Sequence, residues 1–296
     1  MTDPLFFLFM GLTVLSFGIH SALIVYFARR YDSLVVATYR GLSLIATMLP
    51  ILIFVSWEEI IAIKEAYFTL LLSAGVGSIS FTVSITGSRY LPVGVASTLR
   101  QTISVPVAIV IGMLFLQEYL TFIQILLLIG IGACAIWLTL LRSEHPHLDP
   151  SLARWGITLS VLAGVGSAFA WYFFSIAARE LHPFVAAYFV EVGVGLFTLI
   201  YLVVLRASGL HKGSLHIPFP ALRNIILVGM LTISGTAGYA LAVNHGPYSL
   251  ASGLMMGAIL VATVIAWPLF KERLRLMQIG LIIVAAAFMF LIKTVS

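Results

Sequence analysis

Four ionisable side chains stand inside long apolar runs of this chain: His20, Arg40, Arg100 and Glu191. A charge at the centre of a hydrocarbon layer costs about 2.5–3.5 kcal/mol on insertion scales, so such groups face a polar cavity or one another. Arg100 stands beside Gln101 and ahead of Pro106. As a cavity cation it would hold a carboxylate or another anion; the plainer alternative is a snorkelling or paired arginine. Glu191 is the only acid deep in an apolar run. It is therefore the candidate for proton coupling or for a cationic ligand group. Tyr188 shares its helical face at a spacing of three residues. His20 shares a face with Ser16 and reads either as a hydrogen-bonded core histidine or as a ligand contact. Trp171, Tyr172 and Tyr239 fall at mid-run depth. Lipid-facing Trp and Tyr prefer the interfaces, so these aromatics read as cavity walls or as packing.

The candidate binding set is thus Arg100, Gln101, Glu191, Arg40, Tyr188, His20, Trp171 and Tyr239. No catalytic set accompanies it. HExxH, GxSxG and paired intramembrane acids are missing, and Asp3, Asp32 and Asp149 lie outside the apolar runs. Nucleophile-with-base and metal-assisted chemistry both need such groups, so the chain does not read as an enzyme. His145, His147 and Asp149 resemble metal ligands on paper, but Pro146 and a loop position make a solvated turn the better reading. No metal and no cofactor are expected.

The elements that must position these residues follow from composition. Of 296 residues, 61% are hydrophobic and 9% charged, against about 25% charged in a soluble domain. Surface-to-volume scaling leaves a soluble protein no way to hide that much apolar surface. A helix crosses the hydrocarbon with ~20 residues, and ten windows fit: 5–27, 34–55, 67–88, 93–116, 120–141, 155–178, 184–205, 222–243, 249–270 and 275–292. The runs are long and do not alternate, which excludes a barrel. The longest connections fall at 142–154 and 206–221. Met1–Pro4 lack the basic region of a secretory signal, so Leu5 onward reads as a first span. Glycine pairs such as Gly75 and Gly77, or Gly253 and Gly257, allow close helix approach; internal packing explains them better than dimerisation.

Eleven basic residues fall on one side of this arrangement: Arg29, Arg30, Arg89, Arg142, Arg154, Arg206, Lys212, Arg223, Lys271, Arg273 and Arg275. Three, Lys64, Arg179 and Lys293, fall on the other. The positive-inside rule puts the eleven in the cytoplasm and both termini outside. The net charge of +5 has this origin and carries no nucleic-acid signature. Cys134 is the single cysteine and can form no intrachain disulfide.

The chain repeats itself. Glu118–Gln124 reads EYLTFIQ and Glu272–Gln278 reads ERLRLMQ, at an offset of 154. Leu91-Pro92 and Ala96-Ser97 match Gly246-Pro247 and Ala251-Ser252 at 155; Ala28-Arg29 and Val35 match Ala178-Arg179 and Val185 at 150. A duplication divides the chain into residues 1–142, a linker at 143–154, and 155–296. Five spans per half force opposite insertion, the inverted-repeat architecture of transporters. Near offset 150, Arg40 aligns with Val190, one residue from Glu191. Two-fold related helices would bring these two charges together, as a structural ion pair or as part of a site.

Leu114-Phe115-Leu116-Gln117-Glu118-Tyr119-Leu120 and Leu269-Phe270-Lys271-Glu272-Arg273-Leu274 resemble the LFLGE-x-L signature that ends the fourth and ninth spans of the drug/metabolite transporter superfamily, in particular its EamA-type branch. Tyr39-Arg40 and Pro106 resemble that branch too. Gln117 and Lys271 depart from it, replacing a glycine, and the ninth span departs too, with Pro268 instead of a mid-span proline. The resemblance implies an all-α membrane protein of ten helices, two inverted five-helix repeats around a central cavity, and alternating access.

The expected function is secondary active transport of small polar organic metabolites, amino-acid-like zwitterions or organic anions. The alternatives are a multidrug or cationic-metabolite exporter of the same superfamily and, from another class, an intramembrane enzyme. Expected partners are a small-molecule substrate, membrane lipid, and protons or other ions as coupling species, with no nucleic acid. The chain is expected as a monomer or weak dimer in a bacterial-type inner membrane.

Overall fold

A computed structural model describes residues 3–91, 93–140, 150–270 and 276–295. These residues form α1 Pro4–Ala28, α2 Ser33–Thr47, α3 Trp57–Ile61, α4 Ile63–Tyr90, α5 Val93–Phe115, α6 Phe122–Leu140, α7 Pro150–Glu180, α8 Pro183–Ala207, α9 Phe219–His245, α10 Tyr248–Leu254, α11 Gly257–Phe270 and α12 Leu276–Thr294. Among the described residues there is no strand. Nine helical stretches among the described residues are long and apolar enough to cross a membrane, and Phe122–Trp137 is a shorter apolar helix in line with the fifth window. The chain is an all-helical protein of the multi-pass membrane type. The residues 141–149, with His145, His147, Asp149 and Arg142, and residues 271–275, with Glu272, lie outside the described residues.

Sequence chemistry sets the helix ends. Asp3 and Asp32 cap α1 and α2, their carboxylates accepting from Leu5 N and from Leu34 N and Val35 N, which satisfies amides that the first turn leaves orphaned. The Leu5 amide, and after it His245, hold the Asp3 carboxyl below its usual range. Two expected spans are broken rather than continuous. The 34–55 window is helical only to Thr47 and continues as a 3-10 segment, Leu49–Phe54. Pro50 lacks the amide that the next α-helical bond needs. The 249–270 window turns at Met255 and Met256, between α10 and α11. Tightened bonds, Met256 N to Gly253 O and Ala258 N to Met255 O, bridge that break.

The first copy of the motif turns the chain between α5 and α6. Gln117 adopts a left-handed backbone, φ 53°, where only glycine escapes a steric cost. Thr121 and Gln124 then start α6 with a reciprocal cap: Gln124 Oε1 accepts from Thr121 N and Thr121 Oγ1 from Gln124 N.

Packing runs between the sequence halves. α4 lies along α7 and α5 crosses α7; α1 lies along α9 and packs on α11; α2 crosses α8; α6 pairs with α12. One end of the bundle joins the start of α1 to the end of α9 through Asp3 and His245, 2.8 Å apart. The other joins the ends of α1 and α4, where Arg29 donates to Leu91 O at 3.2 Å. Arg89, Arg154, Arg206 and Arg223 on helix ends, and Arg30 and Lys212 in the connections between helices, lie at this second, basic end.

The α2–α8 crossing admits no side chain. A Cβ on Gly41 would lie 2.5 Å from Gly195 Cα, and one on Gly195 2.6 Å from Gly41 C. Gly41→Leu is expected to cost about 1–3 kcal/mol or more by forcing the helices apart. Gly11→Ala, which meets nothing within 4 Å, should leave the melting temperature unchanged or slightly raised. Thermal unfolding of the purified variants checks both.

Candidate functional site

Arg40, Arg100, Glu191 and His20 converge on one cavity of about 170 Å³. α1 contributes Phe17, His20, Ser21, Ile24 and Val25, and α5 contributes Ser97, Arg100 and Gln101. From the second half come Ser167, Trp171 and Phe174 of α7, Glu191 of α8, Thr236 of α9, and Met255 and Ala258 at the α10–α11 break. The lining extends from mid-bundle toward the basic end, where Val25, Ser88 and Ser97 lie.

A stripe of small residues on α4 forms one wall: Ser73, Gly77, Ser80, Ser84 and Ser88. Spacings of three and four place them on one helical face. None of them is in the candidate set drawn from charge and aromatic depth. Their signal in the 67–88 window is the regular run of hydroxyls on a helical period. These hydroxyls also stitch the helices together. Ser73 Oγ donates to Ala170 O at 3.0 Å, and Ser80 Oγ to Ala163 O at 2.7 Å.

Arg40 and Glu191 meet, as the offset of the repeat suggests. Arg40 Nη1 lies 2.7 Å from Glu191 Oε2, and both side chains are buried. Thr236 Oγ1 donates to the other carboxylate oxygen, so both oxygens of Glu191 are engaged. The Arg40 guanidinium lies over the Phe81 ring at 5.0 Å, and His20 stacks on the same ring at 6.2 Å between centroids. Among the described residues His20 Nε2 and Arg40 Nε have no hydrogen-bond partner.

Arg100 is placed differently. Its Nη1 donates to Ser84 Oγ at 2.9 Å, and among the described residues no carboxylate pairs with it. Arg40, not Arg100, is the partner of Glu191.

Six of the eight candidates line the cavity: Arg100, Gln101, Glu191, Arg40, His20 and Trp171. Tyr188 and Tyr239 do not. Tyr188 donates to Ile45 O at 3.1 Å, tying α8 to the end of α2. Tyr239 is fully buried behind Trp171, ring centroids 4.4 Å apart, with its hydroxyl near Ser252 Oγ. Mid-span depth distinguishes these tyrosines from lipid-facing ones but does not say which of them reaches the cavity, because helix rotation is set by packing.

Beyond the cavity, at the end opposite the basic one, Glu118 gathers four donors. Tyr248 N, Ser249 N and Ser249 Oγ each lie 2.8 Å from its carboxylate, and Arg179 Nη2 lies at 2.9 Å. Arg179 also donates to Val243 O and Gly246 O. The ends of α5, α7 and α9 and the start of α10 are thereby clamped together. Among the described residues no group of three His, Cys, Asp or Glu side chains is placed to hold a metal.

No protein-family model matches the chain, and no curated protein matches it. Solved structures do. One, described as "Crystal structure of protein", superposes with a TM-score of 0.68 over 96% of this chain and 96% of its own, at 12% sequence identity. That likeness covers the whole helical bundle and speaks for the fold alone.

Proposed function

We propose that the chain is a secondary transporter of small polar organic metabolites, of the drug/metabolite type with an EamA-like arrangement. Ten membrane crossings form two inverted halves, residues 1–142 and 155–296, that rock about the central cavity. The observation that carries this reading is Arg100: a guanidinium at span depth, facing a hydroxyl-lined cavity, with a serine as its partner. Charge in that position is costly unless it serves a cavity.

The packing supports the inverted halves. The α4–α7 contact has its counterpart in α1–α9 and α5–α7 in α1–α11, while α2–α8 and α6–α12 are each their own counterpart. These are the pairs that exchange when the first five crossings are swapped with the last five. The form described extends its cavity toward the basic end, which the charge rule places in the cytoplasm, and is clamped at the opposite end by Glu118. Both termini then face outward. Protons or other ions are the coupling species, and a bacterial-type inner membrane is the setting.

Arg100→Gln should abolish uptake or efflux in proteoliposomes, at least tenfold, with the melting temperature nearly unchanged. Arg100→Lys should rescue in part, because a point charge does not replace a bidentate fork. Full transport by Arg100→Gln would remove Arg100 from the site.

A further inference from the structure

The cavity's charges do not balance, and the imbalance identifies the kind of ligand. Its charged lining consists of Arg40, Arg100 and Glu191, with His20 beside them. Arg40 and Glu191 neutralise each other at 2.7 Å, and the second oxygen of Glu191 is occupied by Thr236. Arg100 remains. A guanidinium carries five N–H donors, and the neutral hydroxyl of Ser84 accepts from one of its nitrogens.

A ligand amine would find no acid in this lining beyond Glu191, and Glu191 is already engaged. The rest of the polar lining is neutral: hydroxyls and Gln101. The same lining includes an aromatic wall. Trp171 meets Phe17 and Phe174 edge-on, each with 5.6 Å between ring centroids, and all three rings line the cavity. Such a wall receives an apolar body, with one polar group fixing its orientation.

We infer that the cavity takes a compact organic monoanion, its carboxylate on Arg100 and Ser84 and its apolar body against Phe17, Trp171 and Phe174. Of the metabolites admitted under the transport reading, on which this inference rests, organic acids fit and zwitterions and cations do not. Charge-assisted bonds from Arg to a carboxylate are among the strong ones, and the anion cancels the charge that the described lining leaves unmatched.

The test uses purified full-length protein in a nonionic detergent and four probes of one shape: 3-phenylpropionate, its amide, 3-phenylpropylamine and phenylalanine. Binding is read by calorimetry and by the rise in melting temperature, since a ligand of the folded state stabilises it. The acid is expected to bind at least tenfold more tightly than the other three. Arg100→Gln should reduce its affinity to that of the amide, while Ser84→Ala, a milder change to the same anchor, should weaken it about threefold. An acid that binds no more tightly than its amide or amine, or that binds Arg100→Gln undiminished, overturns the inference. Proteoliposome flux separates it from the transport reading. Saturable amine flux with no acid binding sinks the anion site and leaves transport standing. Acid binding without flux of any probe does the reverse.

Discussion

Glu191→Gln is expected to lower the unfolding free energy by about 3–5 kcal/mol, because it leaves the buried Arg40 charge without its partner. Arg40 is 3% exposed and Glu191 7%, so water compensates little of a stranded charge. The Phe81 face, 5.0 Å from the guanidinium, offsets only a part of the loss, on the order of 1–2 kcal/mol. Arg40→Gln strands the carboxylate instead, with Thr236 as its one remaining donor, and should cost a similar amount. The double variant should recover most of the stability. Replacing the pair with Met and Leu should equal or exceed the wild type, since desolvating two charges offsets much of their attraction. The measurement is thermal unfolding of these variants beside the wild type, with a fall of several degrees in each single variant. Additive losses in the double variant would mean that the two residues are not coupled.

Glu118→Ala carries the second large effect. It removes the acceptor of two backbone amides at the start of α10, the Ser249 hydroxyl and Arg179 together. Losing a helix cap costs about 0.5–2 kcal/mol, and bonds to a charged acceptor are worth about 1.5–3 kcal/mol each. A loss of about 3 kcal/mol follows, since water can reach part of the site once the clamp opens. Arg179 itself is a third exposed, so Arg179→Gln should cost far less. Glu118→Gln keeps one acceptor oxygen and should fall between. The clamp's position makes a further readout available. In a Cys134→Ala background, Phe174→Cys should react with a maleimide faster when Glu118 is also replaced. Equal labelling rates would show that the clamp does not close that end.

Much of this arrangement is legible in the amino-acid sequence, and the reasons differ by residue. The windows follow from a solvent requirement, since lipid tolerates few exposed polar groups, and composition alone expresses that. The meeting of Arg40 and Glu191 is visible because the two residues stand close to the offset that separates the matched segments of the sequence. Gln101, His20 and Trp171 are visible because polarity at depth must be accommodated. What stays hidden needs contacts between distant segments. Glu118 looks like a signature residue; its task, capping a helix that begins 130 residues later, has no local trace. The left-handed Gln117 explains why a glycine suits the resembling motif, yet a single sequence bearing glutamine there conceals it. The α10–α11 break has no proline within it, so nothing in the 249–270 window marks Met255 as a cavity residue.

Arg100 also has an electrical consequence. An elementary charge that traverses a membrane potential of 100 mV exchanges about 2.3 kcal/mol with it. An empty transporter of the kind proposed here re-exposes that guanidinium to the opposite aqueous phase as a net positive charge, so voltage biases its return. With a monoanion bound and no coupling ion beside it, the same movement carries no net charge and voltage has no hold on it. The single arginine that Glu191 leaves unmatched would thus make the unloaded half of the cycle the voltage-sensitive half.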